Sequence, residues 1–144
     1  MAITQALPNS FKKQLLDGDQ DFSSAGGDKF KLALYVSTAT LNAATTSYTT
    51  GGEVSSSGTG YTTGGKALVN SGTSVSSTVA FTDFSDLSFT SVTLTARGCL
   101  IYNTSFSNSA VAVLNFGADK TATSGTFTIQ FPAFTSSAAI IRIS

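Results

Sequence analysis

Histidine and tryptophan are absent from the 144-residue chain, and cysteine occurs once. Without histidine, the Ser-His-Asp and Cys-His catalytic arrangements and the imidazole ligands of zinc are excluded. The single cysteine, Cys99, forms no disulfide within the chain, and its apolar surroundings in "GCLIYN" favour a buried, inert thiol over a reactive one. Without tryptophan, a sugar-binding surface lacks its best stacking residue, although tyrosine can replace it.

Charge is also scarce, because charged residues make up 11% of the chain and the formal net charge is zero. Such a chain has no field to attract nucleic acid. No run approaches the roughly 18 apolar residues of a membrane span, and "MAITQALPNSFKKQLLDG" lacks the apolar centre of a signal peptide. We therefore expect no nucleic-acid partner, no membrane partner, and folding in the cytosol of the producing cell.

The residues that are present indicate two regions, 1–28 and 29–144. In the first, "PNSFKKQLLDG" predicts a helix capped by Ser10 and ended by Gly18. A helix of about two turns is unstable alone, so it must pack against its own domain or a neighbouring protein. We treat residues 1–28 as a helical arm and residues 29–144 as the folded domain.

The second region reads as short strands rich in β-branched and aromatic residues, separated by Gly, Ser, Thr and Asn. The predicted strands are 29–36, 66–70, 76–81, 86–89, 91–96, 98–103, 110–116, 126–131 and 138–144. Strands at this spacing without helices between them predict an all-β fold, an antiparallel β-sandwich of jelly-roll or immunoglobulin-like topology. Ser37–Gly65 is a loop of about 29 residues, a length typical of a functional segment or of one ordered by a partner.

"GYTTGGKA" (60–67) comes within one residue of the nucleotide-binding pattern G-x-x-x-x-G-K-[ST]. Ala67 replaces the hydroxyl that holds magnesium, and the residues after Lys66 predict a strand rather than a helix whose N-terminus cradles phosphate. The residues before it are polar, where a buried strand is required. The stretch therefore favours a glycine-rich loop over a nucleotide site.

Acidic residues provide the remaining candidates for chemistry. Asp17, Asp19, Asp21 and Asp28 match positions 1, 3, 5 and 12 of a calcium loop, but Phe22 stands where that loop requires glycine. A solvated acidic connector is the favoured reading, so we predict no metal and no cofactor.

Asp83 and Asp86 could form a carboxylate pair of the kind that glycosidases use, although a turn is the ordinary explanation for such residues. Asn103-Thr104-Ser105 matches a glycosylation sequon, which a chain without a secretion signal does not use. We therefore predict that the protein is not an enzyme.

Tyr35, Tyr48, Tyr61 and Tyr102 are too scattered along the chain for a nucleic-acid stacking platform and fit core edges or interface contacts. Arg97 interrupts an apolar region, where it either anchors a subunit interface or caps a strand end.

Five segments together resemble small structural proteins of tailed bacteriophage particles, and they cover nearly the whole chain. They are "NSFKKQLLDGDQDF", "GDKFKLALYVSTATLNAATTSYTTGGEVSSSGTGYTTGGKAL", "LTARGCLIYN", "AVAVLNFGADKTATSGTFTIQFP" and "AAIIRIS". The resemblance implies a virion protein assembled in the bacterial cytoplasm. Its leading role is a capsid decoration (cement) protein that binds the major capsid protein on the outer face of the head, and the chain is expected to form a homo-oligomer, with a trimer favoured.

On this reading the arm grips the coat or a neighbouring protomer through Phe11, Leu15 and Leu16, and Tyr48, Tyr61 and Arg97 are further interface candidates. Deleting residues 1–18 is then expected to abolish attachment and to leave the β-domain folded. A tail or receptor-binding protein is the alternative, with the Ser37–Gly65 loop presenting hydroxyls and tyrosines to a sugar. A carbohydrate-binding module is a more remote one.

Overall fold

The computed structural model describes residues 2–144, which form one helix and seven strands. They are α1 (Asn9–Asp17), β1 (Phe30–Tyr35), β2 (Lys66–Ala67), β3 (Asn70–Ser76), β4 (Val79–Phe84), β5 (Leu87–Asn103), β6 (Ser109–Ile129) and β7 (Ile141–Ile143). One sheet has the order β2-β1-β5-β6 and the other β3-β4-β7, and all neighbouring strands are antiparallel. The predicted all-β sandwich with a short helix is confirmed.

The strand order differs from both topologies that the sequence left open. An immunoglobulin constant domain divides seven strands into sheets ABED and CFG, and a jelly roll has eight strands. Here β1 lies inside its sheet, between β2 and β5, and the β3–β4 hairpin pairs with the last strand, β7. This order is neither of the two.

A long hairpin of β5 and β6 replaces five of the short predicted strands. The residues that suggested turns lie at bulges instead, since the register shifts between Phe89 and Val92 and again between Ala96 and Gly98. Ser91 and Ser124 have positive φ angles of 54° and 45° within these strands. A bulge accommodates an extra residue by bending the strand without ending it, so the local sequence signals of a bulge and a turn are similar.

Strand β3, Asn70–Ser76, was missed because its sequence, NSGTSVS, is polar. It is an edge strand with mostly exposed side chains, and an edge strand needs little apolar surface. The strand predicted over 76–81 begins later, because Ser77 has a φ of 55° in the turn that joins Ser76 to Val79.

Helix α1 ends as predicted and begins differently. Gly18 adopts the left-handed conformation, and the N–H groups of Gly18 and Asp19 donate to the carbonyls of Leu15 and Gln14, which is a Schellman motif. The predicted Ser10 cap is wrong, because Pro8 occupies the N-cap position and provides no side-chain acceptor. The Ser10 hydroxyl is buried without a hydrogen-bond partner in the described part of the chain.

The main core is shared by both sheets and the helix. Phe11 of α1 is fully buried in it and meets the Phe22 ring edge-on at 6.0 Å, and Phe22 stacks on Phe30 of β1 at 4.7 Å. The region 1–28 therefore contributes aromatic side chains to the same core as the strands.

A second cluster covers the opposite face of the four-stranded sheet. Ala33 and Tyr35 of β1 pack there with Ile3 and Leu41, so the N-terminal residues and the long loop form a third layer. The N-terminal residues also extend the sheet, because Ala6 and Val113 of β6 exchange backbone hydrogen bonds of 3.0 and 2.9 Å.

Candidate functional site

The glycine-rich loop that resembles a phosphate-binding loop holds a carboxylate of its own chain. The N–H of Gly64 donates to Glu53 Oε1 over 2.7 Å, and the N–H of Gly65 donates to the Thr62 carbonyl over 2.9 Å. The Lys66 ammonium donates to the carbonyl of Ser88. The donors that a nucleotide-binding loop turns toward phosphate are thus engaged inside the protein.

Glu53 is the centre of a hydrogen-bonded cluster. Its Oε1 atom also accepts from the Tyr61 hydroxyl at 2.7 Å, and its Oε2 atom accepts from the Tyr48 hydroxyl at 2.6 Å. The Tyr61 oxygen in turn accepts the N–H of Leu34 in β1 at 3.0 Å. Bonds to an ionised acceptor are stronger than neutral ones, so this carboxylate ties the loop to the sheet.

The four tyrosines converge around this carboxylate, although they are far apart in sequence. Tyr48 stacks on Tyr102 with ring centroids 4.7 Å apart, and the Tyr102 hydroxyl donates to the Gly64 carbonyl. The Tyr35 hydroxyl donates to the Thr49 carbonyl over 2.6 Å. The tyrosines are scattered along the chain, but they lie together in the folded protein, because the long loop folds back over β1 and β5. The sequence interpretation is wrong in this respect.

Burial of the tyrosines keeps their hydroxyls protonated. Desolvation, followed by the Glu53 carboxylate, raises the pKa of Tyr48 and Tyr61 well above the ordinary value and that of Tyr102 to about 12. Protonated hydroxyls are the donors that Glu53 needs, so the cluster persists throughout the neutral range. The cluster therefore has a structural role, and few of its polar groups remain free to bind a ligand.

The Ser37–Gly65 loop is ordered by its own chain. Besides the tyrosine cluster, Glu53 forms a bridge with Tyr35, and Ser47 forms one with Ser109 of β6. The backbone of Gly65, with a φ of 80°, lies so close to Leu32 that a Cβ atom would clash with the Leu32 carbonyl oxygen. Only glycine fits at position 65, where the two backbones lie so close together, and this explains part of the glycine-rich pattern.

The acidic residues of the calcium-loop pattern do not come together as ligands. Asp17 pairs with Lys13 on the helix, Asp21 accepts from the Ser23 N–H, and Asp28 accepts from the Asp21 N–H. Within residues 2–144, no group of three or more His, Cys, Asp or Glu side chains could hold a metal ion. Helix α1, the single helix within residues 2–144, is not long and apolar enough to cross a membrane.

Asp83 and Asp86 have separate structural roles. Asp86 accepts the N–H of Phe131 at 2.8 Å, which holds the segment after β6. Asp83 is 1% exposed, and its Oδ1 accepts the N–H of Phe84 at 2.9 Å, while its Oδ2 has no hydrogen-bond partner among residues 2–144. Desolvation raises the pKa of Asp83, and the N–H groups of Phe84 and Ile140 oppose that shift.

Two further residues named from the sequence are enclosed by the fold. Cys99 is fully buried, as predicted, and burial raises the pKa of its thiol far above the ordinary value. The sequon residue Asn103 is also fully buried, with its amide nitrogen donating to Gln20 and Asp28. A glycan has no access to that nitrogen.

The interface candidates differ widely in exposure. Phe11 is 0% exposed and Tyr61 3%, so both belong to the interior of the chain. Leu15 is partly buried, and Leu16 is 90% exposed. Arg97 lies at the surface, where its Nε donates to Asp119 at 2.9 Å. Of this group, Leu16 has the most apolar surface left to bury.

An apolar groove of about 280 Å³ runs between the end of α1 and the three-stranded sheet. Its apolar lining consists of Leu15, Phe22, Ala80, Phe81, Ile141 and Ile143. We call it the α1 groove. Sequence reasoning missed it, because its walls come from three separate parts of the chain.

The sheet wall of the α1 groove continues as an exposed apolar row. Val75 pairs with Ala80 and Ala80 pairs with Ile143, so the three side chains lie side by side on one face. Val75 is 69% exposed and Ile143 56%. An apolar row of this kind beside a groove is typical of a protein contact surface.

A larger and more open depression of about 600 Å³ follows the outer edge of β6. Lys120 lies on it, and β6 carries a bulge between Ala122 and Gly125. A lysine and a bulge are the ordinary means by which an edge strand avoids pairing with another chain. The α1 groove is therefore the better candidate for a contact site.

Comparison with protein-family models, with curated proteins and with solved structures gives no significant match for the chain.

Proposed function

We propose that the protein is a structural component of a bacteriophage virion, a capsid decoration protein that binds the major capsid protein on the outer face of the head. The observation that carries the proposal is the α1 groove with the exposed Val75 and Ile143 beside it. Complete burial of one such side chain contributes about 1.5–3 kcal/mol. The sequence resemblance to phage structural proteins supplies the choice of partner.

The fold suits a static binding role. Glu53 and the tyrosines fasten the long loop, so this part of the domain is already ordered without a partner. A stable contact buries about 1,000 Å² or more, so the groove must be the centre of a wider interface. A homotrimer at the meeting point of capsomers would provide three such contacts at once.

The receptor-binding alternative depends on tyrosines displayed by the Ser37–Gly65 loop. Tyr61 is 3% exposed, and its hydroxyl and that of Tyr48 are bonded to Glu53. Inward-facing tyrosines give a sugar little to stack on, which favours the decoration role over a tail protein or a carbohydrate-binding module.

The proposal is tested with capsid shells that lack the protein. The purified protein should co-sediment with the shells and raise their melting temperature, because a ligand of the assembled state stabilises it. Ile143→Ser should weaken co-sedimentation at least tenfold, whereas Val69→Ser, which removes a 64%-exposed valine outside the groove, should not. Absence of wild-type binding to the shells would overturn the proposal.

A further inference from the structure

We propose that the α1 groove takes an apolar side chain from an extended segment of the partner protein, and that lysine or arginine residues flank this side chain. The inference rests on the proposed function only for the identity of that partner. The chemistry of the segment follows from the shape and the charge of the groove itself.

The shape of the groove calls for an apolar side chain. Its floor and walls are formed by Leu15 at the end of α1, by Phe22, and by Ile141 and Ile143 of β7. A volume of about 280 Å³ holds one or two aliphatic side chains and is too small for a packed helix. An extended segment fits best, because it can place one side chain in the groove while its neighbours lie along the rim.

The charge at the rim is negative. Asp21 is the only ionisable side chain that lines the groove within the described part of the chain, and it is exposed. Asp19 lies two residues before it in the same connector. The Ser23 side chain, and then its N–H, which donates to Asp21 Oδ1, lower the pKa of the Asp21 carboxyl group, so the charge is present throughout the neutral range.

The neighbouring cations do not cancel this charge. Lys13 is paired with Asp17 on the helix, and neither Lys12 nor Lys13 lines the groove. Arg142 of β7 donates to the Ser137 carbonyl, and the register places it on the opposite face of the strand from Ile141 and Ile143. A basic residue beside the apolar anchor therefore meets an acidic rim, and an acidic residue meets like charge.

The test uses two capped hexapeptides with the protein alone. Both have two central leucines, flanked by lysines in one peptide and by glutamates in the other. The peptides are titrated into the ¹³C-methyl-labelled protein, and the shifts of Leu15, Ile141 and Ile143 are followed by NMR. We expect the lysine peptide to bind about five- to tenfold more tightly, with a preference that declines as salt is raised.

Two variants and one control variant separate the contributions of shape and charge. Asp21→Asn keeps an acceptor for the Ser23 N–H and should reduce the preference to about twofold, whereas Asp119→Asn should leave it unchanged. Ile143→Ser should abolish binding of both peptides. Equal binding of the two peptides, or no shift of the groove methyls, would overturn the inference.

Failure of this inference is distinguishable from failure of the proposed function. If the protein does not bind capsid shells while the lysine peptide still enters the groove, the choice of partner is wrong and the groove chemistry stands. If the shells bind and the peptides show no preference, the groove chemistry is wrong and the decoration role stands.

Discussion

The backbone N–H of Gly64 and the carboxylate of Glu53 are joined by a hydrogen bond of 2.7 Å. The same loop resembles one that would bind the phosphate of a nucleotide, and here it binds an anion from eleven residues earlier in the chain. Because Tyr48 and Tyr61 donate to the same carboxylate, the anion becomes the fastening point of the whole Ser37–Gly65 loop.

Replacing Glu53 with glutamine should loosen the loop. Glutamine removes the charge and places an N–H₂ group where Tyr48 or Tyr61 now donates, so at least one hydroxyl loses its acceptor. We expect a loss of about 1–3 kcal/mol in the free energy of unfolding, measured by urea denaturation. Amide hydrogen exchange should become faster across residues 46–65. Asp119→Asn, which breaks a surface ion pair, is the control and should cost less than about 1 kcal/mol.

Replacing Phe11 with alanine should destabilise the entire fold. Its ring is fully buried and contacts the Phe22 ring, so the substitution leaves a cavity in the main core and should cost about 3–5 kcal/mol. Leu16→Ala on the same helix should change stability by less than about 0.5 kcal/mol, since Leu16 is 90% exposed. Thermal and urea unfolding of the two variants measure the difference.

The same packing leads us to expect that deletion of residues 1–18 unfolds or strongly destabilises the domain. The sequence alone led to the opposite expectation, a β-domain that stays folded without its arm. A truncated protein with a cooperative unfolding transition near that of the full chain would favour the arm interpretation.

Asp83 should make the protein less stable as the pH rises. Burial raises the pKa of this carboxyl group in the folded state, so its stabilising contribution is complete below its unfolded pKa of 3.8 and is lost as the pH rises through the folded value. Asparagine does not titrate, so Asp83→Asn should gain stability relative to the wild type between pH 3 and pH 7. Unfolding free energies of both proteins across that range provide the measurement. A difference that is independent of pH would contradict the prediction.

Cys99 should be unreactive in the native protein. Its side chain is fully buried and its thiol pKa is raised, so the nucleophilic thiolate is neither formed nor accessible. A disulfide reagent should release no chromophore from the folded protein within minutes and one equivalent after unfolding in urea. Rapid reaction in native buffer would show that the core opens locally around β5.

Local patterns predicted the secondary structure where one residue type controls the backbone. Gly18 ends α1 as expected, because a left-handed residue at this position is nearly always glycine. The prediction of strand ends failed where the same residue types occur both in turns and in bulges. The predicted strands were interrupted just before Ser91 and around Ser124, but both serines lie within β5 and β6, because the partner strand continues the hydrogen bonding beyond each bulge.

The contact site was less predictable than the fold. Leu15 and Leu16 were chosen from the helix pattern, but periodicity cannot tell which side of a short helix the sheet will cover. Phe11 faces the core and Leu16 faces solvent, and that division depends on how both sheets pack around the helix. The groove residues Phe22, Ala80 and Ile143 have no common signal in the sequence, since they meet only after the chain has folded.

The sequence by itself determined the fold class and the lack of histidine chemistry, because composition, alternation and turn residues act locally along the chain. Only the tertiary structure decided that the tyrosines converge on Glu53, that the N-terminal region belongs to the core, and that an acidic-rimmed groove lies beside α1. These features depend on contacts between residues distant in sequence. Such contacts are set by the strand order, which no local pattern encodes.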